Sequence, residues 1–276
     1  MNANIHSPLI EAWRQLDVQT PDVHILEADR QYLEGIGYFA KQPHLLEPLC
    51  FKKFLNSPRF GQDDGFHFSL LPIPYAGNLA SADIFILMLN PGFHEGDYYA
   101  EYENQEFRSA ALNSLRQDFS DSSYWFQCLN PAFCWHPGYG YWTKKLGSLI
   151  SELAKHHWEG NSQSALLEVS RRIAVVESVP YHSRSFKDGA LLNELPSALL
   201  VKSWVHEVLL PKALRGEAVV VVTRQSKNWG LKEIPGSVVC YEKSEARGAH
   251  LSVNSRGGAL ILKKLLSQRG NRFVMN

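Results

Sequence analysis

One stretch of sequence decides the fold: IFILMLNPG, residues 84–92. Its first six residues, Ile84–Leu89, form the longest apolar run of the chain, and the turn-forming triplet Asn90-Pro91-Gly92 ends it. A short continuous apolar run that stops at a turn signal is typical of a strand covered on both faces of a sheet. It is far shorter than the roughly 20 residues of a membrane-spanning helix. We therefore predict a central, fully buried strand here.

Three later apolar runs follow the same pattern: Ile173–Val176, Ala218–Val222 and Val238–Cys240. Helix-like periodicity separates or follows them, around residues 104–117, 142–157, 197–214 and 257–266. Strands that alternate with helices predict right-handed crossovers and a parallel sheet with helices on both sides. The predicted fold class is therefore α/β, a three-layer sandwich around a central, mainly parallel four-stranded sheet.

The first part of the chain has a different pattern. Residues 1–69 are predicted to form a helical N-terminal extension packed on the core, and residues 70–276 the α/β domain. Ser7-Pro8 is a helix start signal. Phe66–Leu70 alternates between apolar and polar residues, which is typical of an edge strand.

The composition is that of an ordinary globular protein. Of 276 residues, 45% are hydrophobic and 20% are charged, which excludes the disordered and fibrous classes. No basic segment followed by an apolar stretch opens the chain, so the expected location is the cytoplasm. Four scattered cysteines without a Cys-x-x-Cys pair fit reduced thiols. Cys128, Cys134 and His136 could form part of a metal site, but no fourth ligand has suitable spacing, so we predict neither metal nor cofactor.

The charge is balanced overall and divided along the chain. The sequence has 28 basic and 28 acidic residues, which counts against a protein that coats nucleic acid through bulk positive charge. However, residues 1–170 hold 11 basic and 20 acidic residues, whereas residues 171–276 hold 17 and 8. The second part thus predicts a basic face with salt-sensitive binding of phosphates, including Arg184, Arg224, Lys227, Arg247 and Arg256.

Polar segments follow all four predicted strands, at the sheet edge where α/β proteins bind ligands. They are Asn90–Gly96, Glu177–Arg184, Thr223–Lys227 and Gly248–Gly258. No Gly-x-Ser-x-Gly elbow, Walker A sequence or Gly-x-Gly-x-x-Gly sequence occurs, which counts against an α/β hydrolase and against nucleotide-cofactor enzymes.

At these residues the sequence resembles the uracil-DNA glycosylase superfamily. Leu89-Asn90-Pro91-Gly92 is similar to the first family motif in its Asn-Pro-Gly form, and Pro74–Asn78 ahead of it is also similar. His250–Arg256 is similar to the second motif, although Leu251 replaces the usual Pro. The resemblance covers roughly residues 70–268 and leaves the N-terminal extension outside it.

The resemblance implies two catalytic residues and a set of phosphate contacts. Asn90 would orient the attacking water, and because an amide is a weak base, the reaction would be largely dissociative. His250 would stabilise the negative charge on the departing base. Ser252 and Ser255 would hold phosphates with Arg256 nearby. The alternatives are a turn residue for Asn90, a surface residue for His250 and a helix cap for Ser255.

Two departures from the family pattern concern the base that is recognised. Uracil-only members have a bulky aromatic residue after the motif-one Pro, whereas Gly92 leaves room for a substituent at C5, with Phe93 beside it in the predicted base pocket. Glu177 stands where an Asn normally reads uracil. An ionised Glu only accepts hydrogen bonds, so it would favour the exocyclic amine of cytosine and reject uracil. The alternative is a structural carboxylate paired with Arg184 or Arg224.

Base chemistry in a duplex requires a flipped nucleotide and an aromatic partner for it. The family spacing points to Tyr102 as the stacking residue, although ordinary core packing is an alternative. The aromatic stretch Trp135–Trp142 could lie over the site or be a packed insertion. The usual intercalating wedge position holds Asn254, a poor wedge, so either Arg256 fills the gap or the DNA is single-stranded. Tyr181–Arg184 could contact a phosphate or a bulky C5 group.

The resulting hypothesis is a monofunctional DNA glycosylase that removes a C5-modified cytosine and leaves an abasic site. Its partner would be double- or single-stranded DNA, with no membrane and no obligate protein partner. Such an activity would suit defence against phages with modified DNA. The alternatives are a repair glycosylase for uracil or damaged bases, a non-catalytic sensor of unusual DNA, and hydrolysis of a free nucleoside or nucleotide.

Overall fold

The computed structural model describes residues 7–246, 248 and 250–267, so Arg247 lies outside the described residues. It confirms an α/β fold built on a mixed, mostly parallel sheet of five strands. The strands are β1 (Tyr75–Ala76), β2 (Ile84–Met88), β3 (Ile173–Glu177), β4 (Val219–Val222) and β5 (Val238–Cys240). Their spatial order is β1-β3-β2-β4-β5, and only the pairing of β1 with β3 is antiparallel.

The four predicted strands are the four parallel ones, but the predicted strand count is wrong by one because the short β1 extends the sheet. The edge strand expected at Phe66–Leu70 is also wrong, since this segment has no strand structure and every residue from Phe66 to Leu71 is buried. The apolar and the polar side chains of the segment are all buried, so their alternation does not separate a buried side from a solvent-facing side.

Thirteen α-helices surround the sheet in the described residues. They are α1 (Pro8–Arg14), α2 (Glu27–Gly35), α3 (Tyr38–Lys41), α4 (Phe51–Leu55), α5 (Gly96–Tyr102), α6 (Gln105–Arg116), α7 (Pro137–His157), α8 (Ser162–Arg172), α9 (Pro196–Trp204), α10 (Leu210–Leu214), α11 (Ser226–Trp229), α12 (Lys243–Ala246) and α13 (Arg256–Ser267). Shorter 3-10 turns lie at Pro43–Leu46, Gln127–Leu129, Pro131–Phe133 and Gly189–Asn193, and a π-helical turn, Val205–Leu209, joins α9 to α10. None of the described helices is both long and apolar enough to span a membrane.

Both faces of the sheet are covered. Alternate residues of β2 point to opposite sides, so Phe85 and Leu87 join one hydrophobic cluster while Ile84, Ile86 and Met88 join the other. The first cluster includes residues of α1, α2 and α9, and the second includes residues of α7, α8 and α13. This double coverage explains why the strands appear in the sequence as continuous apolar runs.

Residues 7–69 share the first cluster with the sheet. Leu9, Trp13 and Leu33 are among the buried residues that pack with Phe85 and Val220. The start signal at Ser7 acts as predicted, because its hydroxyl accepts a hydrogen bond from the Ile10 amide at 3.3 Å. The helical extension is therefore part of the packing on one face of the sheet.

The order of the strands determines where a ligand-binding crevice can form at the carboxyl edge of the sheet. The chain passes from β2 to β3 on one side and from β4 to β5 on the other. Neighbouring strands whose connections leave in opposite directions create a crevice at their carboxyl ends. The segments that begin at Asn90 and Thr223 start at this crevice.

Candidate active site

The loops that follow β2 and β3 are joined by a series of hydrogen bonds. The Val179 amide donates to the Leu89 carbonyl at 2.9 Å, and the Ser183 amide donates to the Pro91 carbonyl at 3.2 Å. The buried His182 side chain adds a contact of 2.8 Å between its Nδ1 and the Gly92 carbonyl. The Asn-Pro-Gly segment is thus held from one side by the loop after β3.

The Asn90 side chain is anchored through its amino group. Nδ2 donates to the Pro91 carbonyl at 2.8 Å, to Ser183 Oγ at 2.9 Å and, more weakly, to the Tyr181 carbonyl at 3.4 Å. Two carbonyl oxygens can only be met by the NH₂ end of the amide, so this orientation is fixed. Oδ1 accepts no hydrogen bond from any described residue and is available to accept one from water.

The sequence did not indicate that these residues anchor Asn90. Tyr181 and Ser183 lie in a segment for which we expected phosphate or C5 contacts, but both are buried. The Tyr181 hydroxyl donates to the buried Asp29 of α2 at 2.6 Å, which ties the segment to the N-terminal helices. Nothing in the residue types of Tyr181–Ser183 signals this supporting role, because it depends on the strand register.

Gly92 is exposed, and a Cβ built on it would meet no heavy atom within 4 Å. Its backbone is not in the left-handed region that favours glycine. Neither packing nor conformation requires a glycine at this position. A larger side chain at this position would therefore meet no packed atom, and the predicted room for a C5 substituent stays a prediction.

Glu177 ends β3 beside Met88 of β2. It is only 6% exposed, and Oε2 is buried without a hydrogen-bond partner. The pairing with Arg184 or Arg224 that we considered is not formed in the described residues: Arg184 binds Glu95, and no ion pair reaches Glu177. Burial raises the pKa of the Glu177 carboxyl to about 8, against a smaller lowering by Arg224.

This pKa corrects the premise that Glu177 is ionised. Near pH 7 the neutral acid predominates, and a neutral carboxyl both donates and accepts a hydrogen bond. It can pair with the N3 and amine edge of cytosine, and equally with the N3–H and O4 edge of uracil. Rejection of uracil by charge alone is therefore not expected at neutral pH.

Two further side chains lie within electrostatic range of Glu177. Tyr141 of α7 is 43% exposed, and burial together with the charge of Glu177 raises the pKa of its phenol to about 12. The Cys128 thiol has its pKa raised to about 12 by burial, with contributions from Asp97 and Glu177. Tyr141 is thus the residue of the aromatic stretch Trp135–Trp142 that lies within electrostatic range of Glu177.

The aromatic residues expected to stack on the base are engaged elsewhere. Tyr102 stacks on Tyr98 in an aromatic cluster with Phe54, and its hydroxyl donates to the Ser69 carbonyl at 2.8 Å. Phe93 is buried and stacks on His67 with 3.5 Å between ring centroids. The structure thus places Tyr102 and Phe93 in packing interactions, the alternative we considered for Tyr102.

The Arg184 guanidinium also lies 5.7 Å from the centroid of the Phe93 ring.

The second motif forms the loop into α13. His250 is exposed, and its ring lies close to Gly248, while its carbonyl accepts a hydrogen bond from the Tyr241 hydroxyl. Ser255 caps α13, because its Oγ accepts from the Gly258 amide at 3.0 Å and donates to the Ser252 carbonyl at 2.8 Å. This is the capping role considered for Ser255.

Ser252 is half-buried and Asn254 is exposed in the same loop, and Leu251, which replaces the usual Pro, is buried. The loop therefore packs through Leu251 and leaves the polar residues of the motif at or near the surface.

The expected DNA-binding arginines differ in their partners. Arg256 forms ion pairs with Glu233 at 2.5 Å and Glu245 at 2.6 Å, so acidic neighbours offset its charge. Arg184 is paired with Glu95, as described above. Arg224, directly after β4, is exposed and forms no ion pair with any described carboxylate. Of these three arginines, Arg224 offers the least compensated positive charge.

Replacement of Arg224 by Ala should weaken DNA binding and reduce its salt dependence. Affinity for duplex DNA falls as salt rises, and the loss of one phosphate contact makes the negative slope of log affinity against log salt shallower by about 0.9. The control is Arg215→Ala, since Arg215 is also exposed but precedes β4 at the opposite end and is paired with Glu217. Titrations of DNA at several salt concentrations measure the slopes for the Arg224→Ala and Arg215→Ala variants. A wild-type affinity that does not change with salt would contradict a basic binding face.

The residues of the considered metal site have other environments. Cys134 is exposed, Cys128 is half-buried, and His136 Nε2 lies 3.0 Å from Asp97 Oδ1. His136 Nδ1 accepts from the Gly138 amide at 3.1 Å and caps α7. No group of three His, Cys, Asp or Glu side chains in the described ranges is arranged to hold a metal ion.

A small cavity lies behind the site. Its volume is about 50 Å³, and Asp97, Cys128 and His182 contribute to its wall. Two acceptors of lining residues, Gln127 Oε1 and His182 Nε2, are buried without a hydrogen-bond partner. The cavity is large enough for water, whose share of liquid volume is about 30 Å³.

Comparison of the chain with protein-family models, curated proteins and solved structures gives no match.

Proposed function

We propose that this protein is a DNA glycosylase that hydrolyses the N-glycosidic bond of a flipped-out, C5-modified cytosine and leaves an abasic site. The main support is the anchored amide of Asn90, with its carbonyl oxygen available at the carboxyl edge of the sheet. The finer fold assignment, a three-layer sandwich like that of uracil-DNA glycosylases, belongs to the same proposal. It draws on the motif order and on the order β3-β2-β4-β5 of the parallel strands.

In the proposed reaction, Asn90 acts on water and not on the base. Its Oδ1 accepts a hydrogen bond from the water and aims it at C1′ of the sugar. An amide cannot take up the proton, so the C1′–N1 bond breaks largely before the water adds, through an oxocarbenium-like sugar. His250, exposed at the start of the second-motif loop, would approach the base when DNA binds and stabilise its developing negative charge.

Two positions favour a C5-modified cytosine. Gly92 supplies open space where the fold requires no glycine. Glu177 provides a donor and an acceptor that together complement N3 and the exocyclic amine of cytosine. Modification separates the target from the normal cytosine of the host's DNA, so a role in defence against phages with modified DNA is part of the proposal, with action in the cytoplasm.

A repair glycosylase for uracil is the second candidate. The observation that favours it is the neutral state of Glu177, because the same carboxyl can donate to O4 and accept from N3–H of uracil. The two candidates share Asn90 and differ in the base that is released.

The test is a panel of oligonucleotides that contain cytosine, 5-methylcytosine, 5-hydroxymethylcytosine or uracil, together with genomic DNAs of different cytosine modification. Abasic sites are detected by alkaline cleavage. Wild type should cleave at a C5-modified cytosine and spare unmodified cytosine. Gly92→Tyr should fold normally, since its side chain meets open space, yet lose at least about tenfold of the excision rate on modified cytosine through steric exclusion from the pocket.

Excision of uracil alone would favour the repair glycosylase. Absence of abasic sites from every DNA tested, combined with tight binding of DNA, would favour a non-catalytic sensor. Equal loss of excision on all substrates by Gly92→Tyr would contradict a role of Gly92 in accommodating the C5 group.

A further inference from the structure

Glu177 carries a buried carboxyl group that no described residue hydrogen-bonds or ion-pairs. Glu177 is only 6% exposed, and its Oε2 atom is buried without a hydrogen-bond partner. A buried carboxylate without partners is costly, so the group holds its proton at neutral pH. A group that is both protonated and unpaired can give the proton to a ligand.

The strand register places this proton near the anchored amide. Glu177 lies beside Met88, the last residue of the neighbouring strand β2, and Asn90 follows Met88 by two residues in the loop after that strand. Adjacent strands are about 4.8 Å apart, so one pyrimidine can extend between the two side chains. Its sugar would then lie on the Asn90 side and its N3 edge on the Glu177 side.

A departing cytosine requires this kind of help. When the C1′–N1 bond breaks, the electron pair moves onto N1 and into the ring. The amine at C4 donates electrons, so the cytosine anion is stabilised less than that of uracil, which has two carbonyl groups. Protonation at N3 removes the negative charge, and an acid whose pKa lies near the operating pH is best suited to supply the proton.

We propose that Glu177 is a catalytic acid as well as a base-recognition residue: its carboxyl O–H donates to N3 and transfers the proton there as the glycosidic bond breaks. The inference rests on the proposed function, because it assigns a step of that reaction. The base leaves as neutral cytosine, in the tautomer that carries the ring proton on N3 and none on N1. Glu177 remains as a carboxylate. Water adds to C1′ and loses one proton to solvent, and Glu177 regains one from solvent, so the reaction is a net hydrolysis.

The surroundings of Glu177 allow its titration to be observed. The groups that act on it are Arg224 after β4, Tyr141 of α7 and Cys128, which itself lies within range of Asp97 of α5. Burial raises the pKa of both the Tyr141 phenol and the Cys128 thiol to about 12, so both stay neutral up to pH 9. Burial lowers the pKa of the nearby His182, which stays neutral as well.

The decisive variant is Glu177→Gln. A Gln side chain donates to N3 and accepts from the exocyclic amine as neutral Glu does, but it has no proton to give up. We expect the variant to bind a 2′-fluorinated, uncleavable version of the fastest panel oligonucleotide within about threefold of wild type. Its single-turnover excision rate should fall by about 10²- to 10³-fold, within the usual contribution of a general acid.

The pH dependence gives a second, independent measurement. The wild-type excision rate should fall about tenfold per pH unit above pH 8, because the ionised carboxylate has no proton to transfer. The Glu177→Gln rate should be flat over the same range. The control is Glu101→Gln, since Glu101 of α5 is equally buried and burial also raises its pKa to about 8, but it accepts from the Leu71 amide away from Asn90. This variant should keep the wild-type pH profile.

The outcomes separate the inference from the proposed function. Excision by Glu177→Gln within threefold of wild type, or a wild-type rate that stays constant from pH 7 to pH 9, would show that Glu177 only recognises the base. A wild type that releases no base from any panel DNA would overturn the proposed function itself. If Glu177→Gln does not fold, the wild-type profile compared with that of Glu101→Gln decides the question.

Discussion

Asn90→Ala should lower the single-turnover excision rate by about 10²- to 10³-fold, the usual cost of removing one positioned polar group from a transition state. The change removes an amide that is anchored at this edge through its amino group and whose carbonyl oxygen accepts no hydrogen bond from the described residues. It should leave DNA affinity unchanged, because in the proposed reaction Asn90 acts on the water and the sugar and not on the phosphates. Quantitation of abasic sites under enzyme excess measures the rate, and thermal unfolding checks the fold.

Ser183→Ala is the matched variant for this prediction. It removes one of the three acceptors of Asn90 Nδ2, at 2.9 Å, and leaves the carbonyls of Pro91 and Tyr181 in place. We expect a loss of about fivefold, corresponding to roughly 1 kcal/mol for one hydrogen bond that positions the amide. A rate for Asn90→Ala equal to wild type would exclude Asn90 as the residue that orients the water. A larger loss for Ser183→Ala than for Asn90→Ala would point to Ser183 as the more important group.

The elements that the sequence predicted well are those whose pattern has one structural cause. The continuous apolar runs of β2 to β4 have no polar side because both faces are covered. The predicted helix at 104–117 corresponds to α6, and the one at 197–214 to α9, the π-helical turn and α10 together. The helices α5 and α8 were not predicted, and α5 contains the buried polar residues Asp97 and Glu101, which weaken its apolar stripe.

The candidate site could be located from the sequence, but its chemical state could not. Parallel strands bring Asn90 and Glu177 to one edge once their order is known, and the family resemblance singled out both residues, whose roles stay predictions. The protonation of Glu177 depends on burial and on the absence of a partner, and the pairing of Arg256 depends on Glu233 and Glu245, residues from two other segments. Side-chain partners of this kind are set by tertiary packing, which no local pattern contains.

The same limit applies to the aromatic residues. The family spacing pointed to Tyr102, yet Tyr102 is fixed by Ser69 and Tyr98, whereas Tyr141 lies within electrostatic range of Glu177. The helix α7 begins at Pro137, and Tyr141 lies in its second turn. A stretch rich in aromatic residues next to a helix start signal was the available clue, and only the fold determines which ring faces the edge.

Gly258→Ala should lower the free energy of unfolding by about 2 to 3 kcal/mol, at the upper end of the usual cost of overpacking, and reduce excision at least about tenfold. A Cβ on Gly258 would lie 1.8 Å from the Ser252 carbonyl oxygen and 2.7 Å from that of Leu251. Both atoms are backbone, and Ser255 holds the Ser252 carbonyl through its amide at 2.9 Å and its hydroxyl at 2.8 Å. The loop can therefore accommodate a methyl group only by moving as a whole.

That movement is the reason why Gly258→Ala should affect the reaction. His250 lies two residues before Ser252 in the same loop, so displacement of the loop should disturb the approach of the imidazole to the base that the proposed reaction requires. The control is Gly147→Ala in α7, where a Cβ meets nothing within 4 Å; it should stabilise the protein by about 0.5 to 1 kcal/mol because Ala is the better helix former. Thermal unfolding and excision rates distinguish the two variants. If Gly258→Ala retained both the stability and the rate of wild type, the close contact between α13 and the second-motif loop would not control the position of His250.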